Sequence, residues 1–500
     1  MTSSMLPSRM PVFPPALRAQ RVRQRWDSSI PTPLRPLARA YLLAYVSVVA
    51  PRIVSLLARR LARAYQRTAK AADRGPQAPF LVSLRRILSD ALHWQRFPTF
   101  CAVLIGGSTW LEAPLQKVFS LLTESLSDVS RRRLARWCAS FIAAWFGLRL
   151  LQSRKSASFS ETVVVKSDTP PGAKAQTVRY GGRTLDLSLF AATRALDVVV
   201  GELWSRRRAR RRAAGTWTKV ETAISRLTDP GVFALSSGLV MWAWFYSPER
   251  LPYTYNKWIS SAAAVDSRLI EALRRCKTGE LRYGEDTGQA PLLQGMCADH
   301  KWPLAWGDPA KAIPFPCEMV HMGCGPSCEV HAISRFGRSF LWAMGTYLPL
   351  NLLLVMRSPN RKGLARALFS AVRSSTFLGT FITLFYYGVC LARTRVGPLV
   401  LGKKTPSRQK IDSGICVGSG CLLCGWSILI EYANRRKDMA LFVAPRALAT
   451  LLPRRYPLDK QWRETLVFAF STAIVFTCVR ENKGRVRGVM GNVLGTVLEA

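Results

Sequence analysis

Long uncharged stretches dominate the alternation of apolar and polar positions along this chain. Four of them, Pro230–Pro248, Ser339–Met356, Ser374–Ala392 and Ser413–Ile430, run for 18 or 19 residues without an acid or a base. Coiled as a helix, each would cover about 27 Å, close to the roughly 30 Å of a bilayer's hydrocarbon core. Phe97–Leu111, Trp137–Leu148 and Thr465–Val479 are shorter versions of the same pattern. The second is lengthened by Arg136 and Arg149, whose aliphatic stems can lie along lipid. Three further segments carry charge inside an apolar run: Tyr41–Leu57 with Arg52, Leu187–Gly201 with Arg194 and Asp197, and Met439–Leu452 with Arg446. The pattern predicts an all-α polytopic membrane protein of about ten helices. Ser156–Gly182 reads as a polar loop with short extended pieces, and residues 1–36 read as a basic tail with no secretory signal peptide.

The chain also echoes itself. "LFAATRAL" (Leu189–Leu196) returns as "LFVAPRAL" (Leu441–Leu448), identical at six of eight positions, and "VFALSSGLVM" (Val232–Met241) is echoed by "VFAFSTAIVF" (Val467–Phe476). "RILSDA" (Arg86–Ala91) aligns loosely with "RALFSA" (Arg366–Ala371) in the same order. Two membrane repeats are therefore expected, residues 37–259 and 339–500, separated by a linker of residues 260–338. Five helices in each would set the halves in opposite orientations, as in inverted-repeat transporters.

Composition adds a partner class. The formal net charge is +42 while 49% of residues are hydrophobic, so basic and apolar residues must be segregated and an anionic partner is expected. The run Arg206–Arg212 lies between two membrane segments. That placement favours anionic lipid headgroups over a nucleic acid, and it marks a cytosolic loop. With the first five segments all crossing, the linker would then face the organelle interior. The twelve cysteines do not imply a disulfide-rich scaffold at this length, and those inside apolar runs read as small core residues.

The linker holds the densest chemistry. "IPFPCEMVHMGCGPSCEVH" (Ile313–His331) places Cys317 and His321 four apart and Cys328 and His331 three apart, with Cys324 between them. Each pair would share one face of a helical turn, and Ser327 is available to cap the helix that follows. Two facing pairs would offer zinc a tetrahedral Cys2His2 set; the same residues would also serve as caps, packing groups or redox-active thiols. Cys297 and His300 form a weaker pair. Arg194 and Arg446 occupy matching positions in the two echoes. Either they reach the headgroups along short helices, or they face an internal cavity and meet an anionic substrate or the nearby Asp197. No Walker loop, HExxH, GxSxG or paired-carboxylate arrangement occurs in a convincing context, so no enzyme is expected.

Several stretches resemble the transmembrane protein 135 family, multi-pass proteins of peroxisomal and mitochondrial membranes. They are Ser236–Ile259, the block "PCEMVH…SCEVH", Thr346–Leu354 and Gly418–Leu448, and the resemblance covers roughly residues 35–495. It implies a peroxisomal membrane protein, with mitochondria as the alternative, that handles lipid or metabolite passage or organelle maintenance. Fatty-acyl or other anionic lipids and an organelle import receptor would be its partners. A membrane adaptor recruiting partners through basic loops is the second reading, and a metalloenzyme the third. A more distant resemblance to mitochondrial inner-membrane translocase channels would make Gly414, Gly418 and Gly425 helix-packing residues. The chain departs from the family in its longer basic N-terminus and in "RRRARRR".

Overall fold

A computed structural model describes residues 29–65, 79–122, 125–165, 174–355 and 360–498, and is about 81% helical. Most of the expected basic tail, and Met356 at the end of one expected segment, lie outside these residues. Among the helices are α1 (Arg35–Tyr65), α2 (Phe97–Trp110), α3 (Asp128–Gln152), α4 (Leu185–Ala213), α5 (Lys219–Tyr246), α6 (Cys328–Val355), α7 (Arg361–Thr394), the short α8 (Cys416–Cys424), α9 (Ala433–Leu451) and α10 (Gln461–Glu481), and a further 13-residue helix, Phe80–Leu92, stands between α1 and α2. The polar loop forms β1 (Ser160–Val165) and β2 (Lys174–Gly181), antiparallel with Ser160 opposite Arg179. The two-residue β3 (Tyr456–Pro457) pairs with the end of β2.

Among the described residues, five helical runs are long and apolar enough to cross a membrane: Thr32–Leu61, Asp128–Gln152, Arg361–Leu401, Thr405–Ile430 and Leu458–Glu481. Their apolar side chains are not all packed inward. Leu42, Leu43 and Val46 on α1, and Leu422, Trp426 and Leu429 on the run through α8, stay exposed, an arrangement costly in water and suited to lipid. Two of the four uncharged stretches are not among the five. Pro230–Pro248 lies largely in α5, where Trp, Tyr, Ser and Pro side chains dilute it, and Ser339–Met356 lies largely in α6, its last residue outside the described ones. Uncharged is not the same as apolar. The remaining segments are too short, as in the 14 residues of α2, or carry charge. "RRRARRR" is helical too, forming the end of α4, where Arg207 and Arg211 reach Glu221.

The chain divides into two compact units. One holds the chain up to Arg179 together with Gln461–Val486 and Met490–Ala500. In it α1 packs on α2, α2 on α3, and α3 on α10. The other holds Tyr180–Lys460 and Arg487–Val489. There α6 packs on α7, α7 on α8, and α8 on α5, while α9 lies against both α4 and α5. Small residues permit these approaches. A Cβ on Gly420 of α8 would stand 2.6 Å from the Phe385 carbonyl of α7, and one on Gly238 of α5 would stand 2.9 Å from the Cys421 carbonyl of α8.

The linker is folded. Helices Tyr253–Ala263, Ser267–Thr278 and Ala290–His300 bury Leu269, Leu273, Leu293 and Met296 in a core continuous with Trp244 of α5, Val389 of α7 and Val417 of α8. The expected boundary at Ser260 falls inside the first of these helices. That helix ends at Ala264, in the left-handed region at φ 47°, where Arg335 donates to the Ala263 and Ala264 carbonyls.

Candidate metal centre and the ionic cluster beside it

Pro316 starts a single helical turn, Cys317–His321, which sets those two side chains on one face. Three residues with positive φ follow, Met322, Gly323 and Gly325. They reverse the chain so that Cys328 returns at the first turn of α6, where the Ser327 hydroxyl accepts from the Val330 N–H. The ligand atoms of Cys317, His321 and Cys328 all lie within 4.8 Å of one another, a group that can hold a metal ion.

His321 is fully buried, and its Nδ1 lies 2.7 Å from the Gly325 carbonyl. Because a carbonyl only accepts, Nδ1 carries the proton and Nε2 keeps its lone pair. That Nε2 faces the Cys390 thiol of α7 at 3.4 Å. Burial pushes the Cys317 thiol up, against the opposing pull of the nearby Arg393 guanidinium.

His331, the expected fourth ligand, is not in the group. Its ring stacks face to face on His321, with centroids 4.5 Å apart and planes 17° off parallel, and meets Tyr386 edge-on at 5.3 Å. A stacked ring offers its π face to its neighbour rather than a nitrogen lone pair. Neither nitrogen finds a hydrogen-bond partner among the described residues. Burial, then His321 and the arginines Arg335 and Arg338, push its pKa down to about 3, so the ring is neutral. Cys324 lies 3.7 Å from the Ser334 hydroxyl, Cys297 is buried in the linker core, and His300 stacks on Trp302.

An ionic cluster adjoins the cysteines. The helical run Thr405–Ile430 is interrupted at Ile411–Ile415, where Gly414 takes φ 153°. Asp412 sits at this interruption. It accepts from Arg393 Nε at 2.7 Å, from Arg393 Nη2 at 3.0 Å and from the Tyr283 hydroxyl at 2.6 Å. The Arg393 and Asp412 side chains are 2% and 1% exposed, a pairing of the kind required where charge leaves water. Arg393 Nη2 also donates to the Phe315 carbonyl at 3.1 Å, while Gln409 Nε2 and the Ser413 hydroxyl reach the Cys276 carbonyl. The linker is thus tied to both α7 and the interrupted run.

The two echoed arginines have different surroundings. Arg194 is buried, donates to the Arg487 carbonyl at 3.2 Å and lies over Phe190; the nearby Asp197 is hydrogen-bonded by Arg487 instead, at 3.0 and 3.2 Å. Arg446 is half-buried and lies over Phe442, with Tyr255 beyond. Of the three expected packing glycines, Gly425 lies closest to a neighbour, against Ala234 and Ser237 of α5, whereas a Cβ on Gly418 would have 3.7 Å to Trp242. Gly414 marks the interruption.

Cys390, Arg393, Asp412, Tyr283 and Gly420 do not stand out in the sequence. The available signal was Asp412 as the lone acid after the basic "KKTPSRQK". No family model, curated protein or solved structure matches the chain.

Proposed function

We propose that the chain is a multi-pass organelle membrane protein that passes an anionic amphiphile of the fatty-acyl class, with the interrupted run Thr405–Ile430 as its working element and zinc as a structural ion of the linker. The observation that carries this reading is a membrane-length run broken at a buried Arg393–Asp412 pair. Helices broken at membrane depth expose backbone groups that bind ions and substrates, and charge there is costly enough to need a role. The two-repeat reading is supported by the order of packing. The series α1–α2–α3–α10 in one unit matches α6–α7–α8–α5 in the other. Close approaches match as well: Gly107 of α2 against Ala143 of α3, and Gly388 of α7 against Gly420 of α8. A peroxisomal location, with mitochondria as the alternative, rests on the family resemblance. Zinc is the ion best suited to a thiolate and imidazole donor set.

Reconstituted liposomes test the passage reading. Wild-type protein is expected to speed transbilayer movement of a labelled long-chain fatty acid, and a stable variant lacking the Arg393–Asp412 pair is expected not to. Equal flux through protein-free liposomes would remove the passage reading and leave the adaptor alternative.

A further inference from the structure

We infer that Cys390 is the fourth ligand of a closed Cys3His zinc centre with Cys317, His321 and Cys328, which clips the linker to α7. This rests on the zinc reading of the three-residue group above. Bond lengths of about 2.3 Å to sulfur and 2.0 Å to nitrogen give a tetrahedron whose sulfur–nitrogen edge is about 3.5 Å. The Cys390 thiol stands 3.4 Å from His321 Nε2, one such edge, but it lies outside the set of Cys317, His321 and Cys328 whose ligand atoms are all within 4.8 Å of one another, so closing the tetrahedron requires its side chain to shift toward the other two cysteines. The Gly325 carbonyl holds the His321 tautomer whose lone pair faces this point, the outer-shell arrangement that orients a ligating imidazole.

Burial distinguishes the kind of site. Cys390 is 1% exposed and His321 0%, while Cys317 and Cys328 are half-buried; with all four as donors, no position would be left open for water or substrate. That is the pattern of a structural zinc. Charge is served too. Zinc with three thiolates and a neutral imidazole carries one net negative charge. Arg393, three residues beyond Cys390 and so on the same helix face, keeps Nη1 without a hydrogen-bond partner among the described residues. Its charge acts on the Cys317 thiol. Cys390 and Arg393 thus make two adjoining clasps from α7 to the linker, one through the metal and one through the Phe315 carbonyl.

The test uses the full chain, purified in detergent under reducing conditions without chelators. Metal analysis is expected to find about one zinc per chain, and X-ray absorption at the zinc edge three sulfurs at about 2.3 Å with one nitrogen at about 2.0 Å. Cys390→Ser is expected to weaken zinc binding by more than the roughly 10–100-fold that outer-shell partners command, while His331→Phe keeps its zinc. A shell of two sulfurs and two nitrogens, or full zinc in Cys390→Ser, would overturn the assignment of Cys390 while leaving zinc in the linker. Wild-type protein without zinc, or with Cys317 joined to Cys328 as a disulfide, would overturn the underlying zinc reading as well. Should Cys390→Ser fail to fold, the sulfur count on the unmodified chain decides.

Discussion

The buried pair of Arg393 and Asp412 makes the most demanding prediction. Asp412→Leu removes the carboxylate paired with the Arg393 guanidinium, which is 2% exposed, and also the acceptor of the Tyr283 hydroxyl. Stranding one partner of a buried pair costs about 3–5 kcal/mol, and an orphaned hydroxyl adds about 1–3 kcal/mol. The double variant Arg393→Met/Asp412→Leu strands neither member of the pair. Among the described residues the Tyr283 hydroxyl and the Phe315 carbonyl lose partners, at about 1–3 kcal/mol each, so it should fall about 2–6 kcal/mol below wild type and still above either single variant. Thermal unfolding of the detergent-solubilised chain, followed by tryptophan fluorescence, would rank the four proteins. If the double variant were as unstable as the sum of the singles, the two groups would not be acting as a buried pair. Asp412→Leu melting with wild type would be equally damaging. The same double variant is the reagent for the flux assay, because it separates loss of charge from loss of fold.

Gly420→Val and Gly425→Val should each lower stability by about 1–3 kcal/mol through overpacking, since the added atoms would meet backbone of α7 and of α5; Gly418→Ala, with 3.7 Å to Trp242, should melt with wild type. Asp266 caps Ser267–Thr278 and bonds Arg268 through its side chain and backbone, so Asp266→Ala should cost about 1 kcal/mol at neutral pH. Those bonds hold its carboxyl below the usual range, chiefly through the Arg268 side chain. Its contribution is therefore present above about pH 4 and fades as pH falls below that; a wild-type-minus-variant difference that did not shrink in acid would refute the assignment. Arg194→Lys should lower the melting temperature more than Arg446→Lys, because both donate to a backbone carbonyl but only Arg194 is buried; the reverse ranking would count against this packing.

The helical class follows from the sequence, because lipid admits few alternatives: a long apolar run must satisfy its own backbone hydrogen bonds, and a helix does so; the helices Phe80–Leu92, Ser267–Thr278 and Ala290–His300 were not legible there. The pairing of Cys317 with His321 was legible for the same local reason, since residues four apart share a helix face. Membrane crossing was harder to read. Pro230–Pro248 lacks charge, but its polar uncharged residues keep it out of the most apolar class.

Which side chain faces which was not legible. Cys328 and His331 look equivalent by spacing, but the stack of His331 on His321 turns its ring face toward the cluster, and the thiol beside His321 comes from Cys390, 69 residues away. In the sequence Cys390 is one small residue in an apolar run, and nothing local separates a packing cysteine from a ligand. Arg393 and Asp412 meet only because α7 and the interrupted run pack side by side. Arg194 and Arg446 share an octapeptide pattern, yet one is buried against a carbonyl and the other half-buried over Phe442. Local spacing determines which side chains share a face of their own helix; the neighbour that face meets is decided by the packing of helices far apart in the chain.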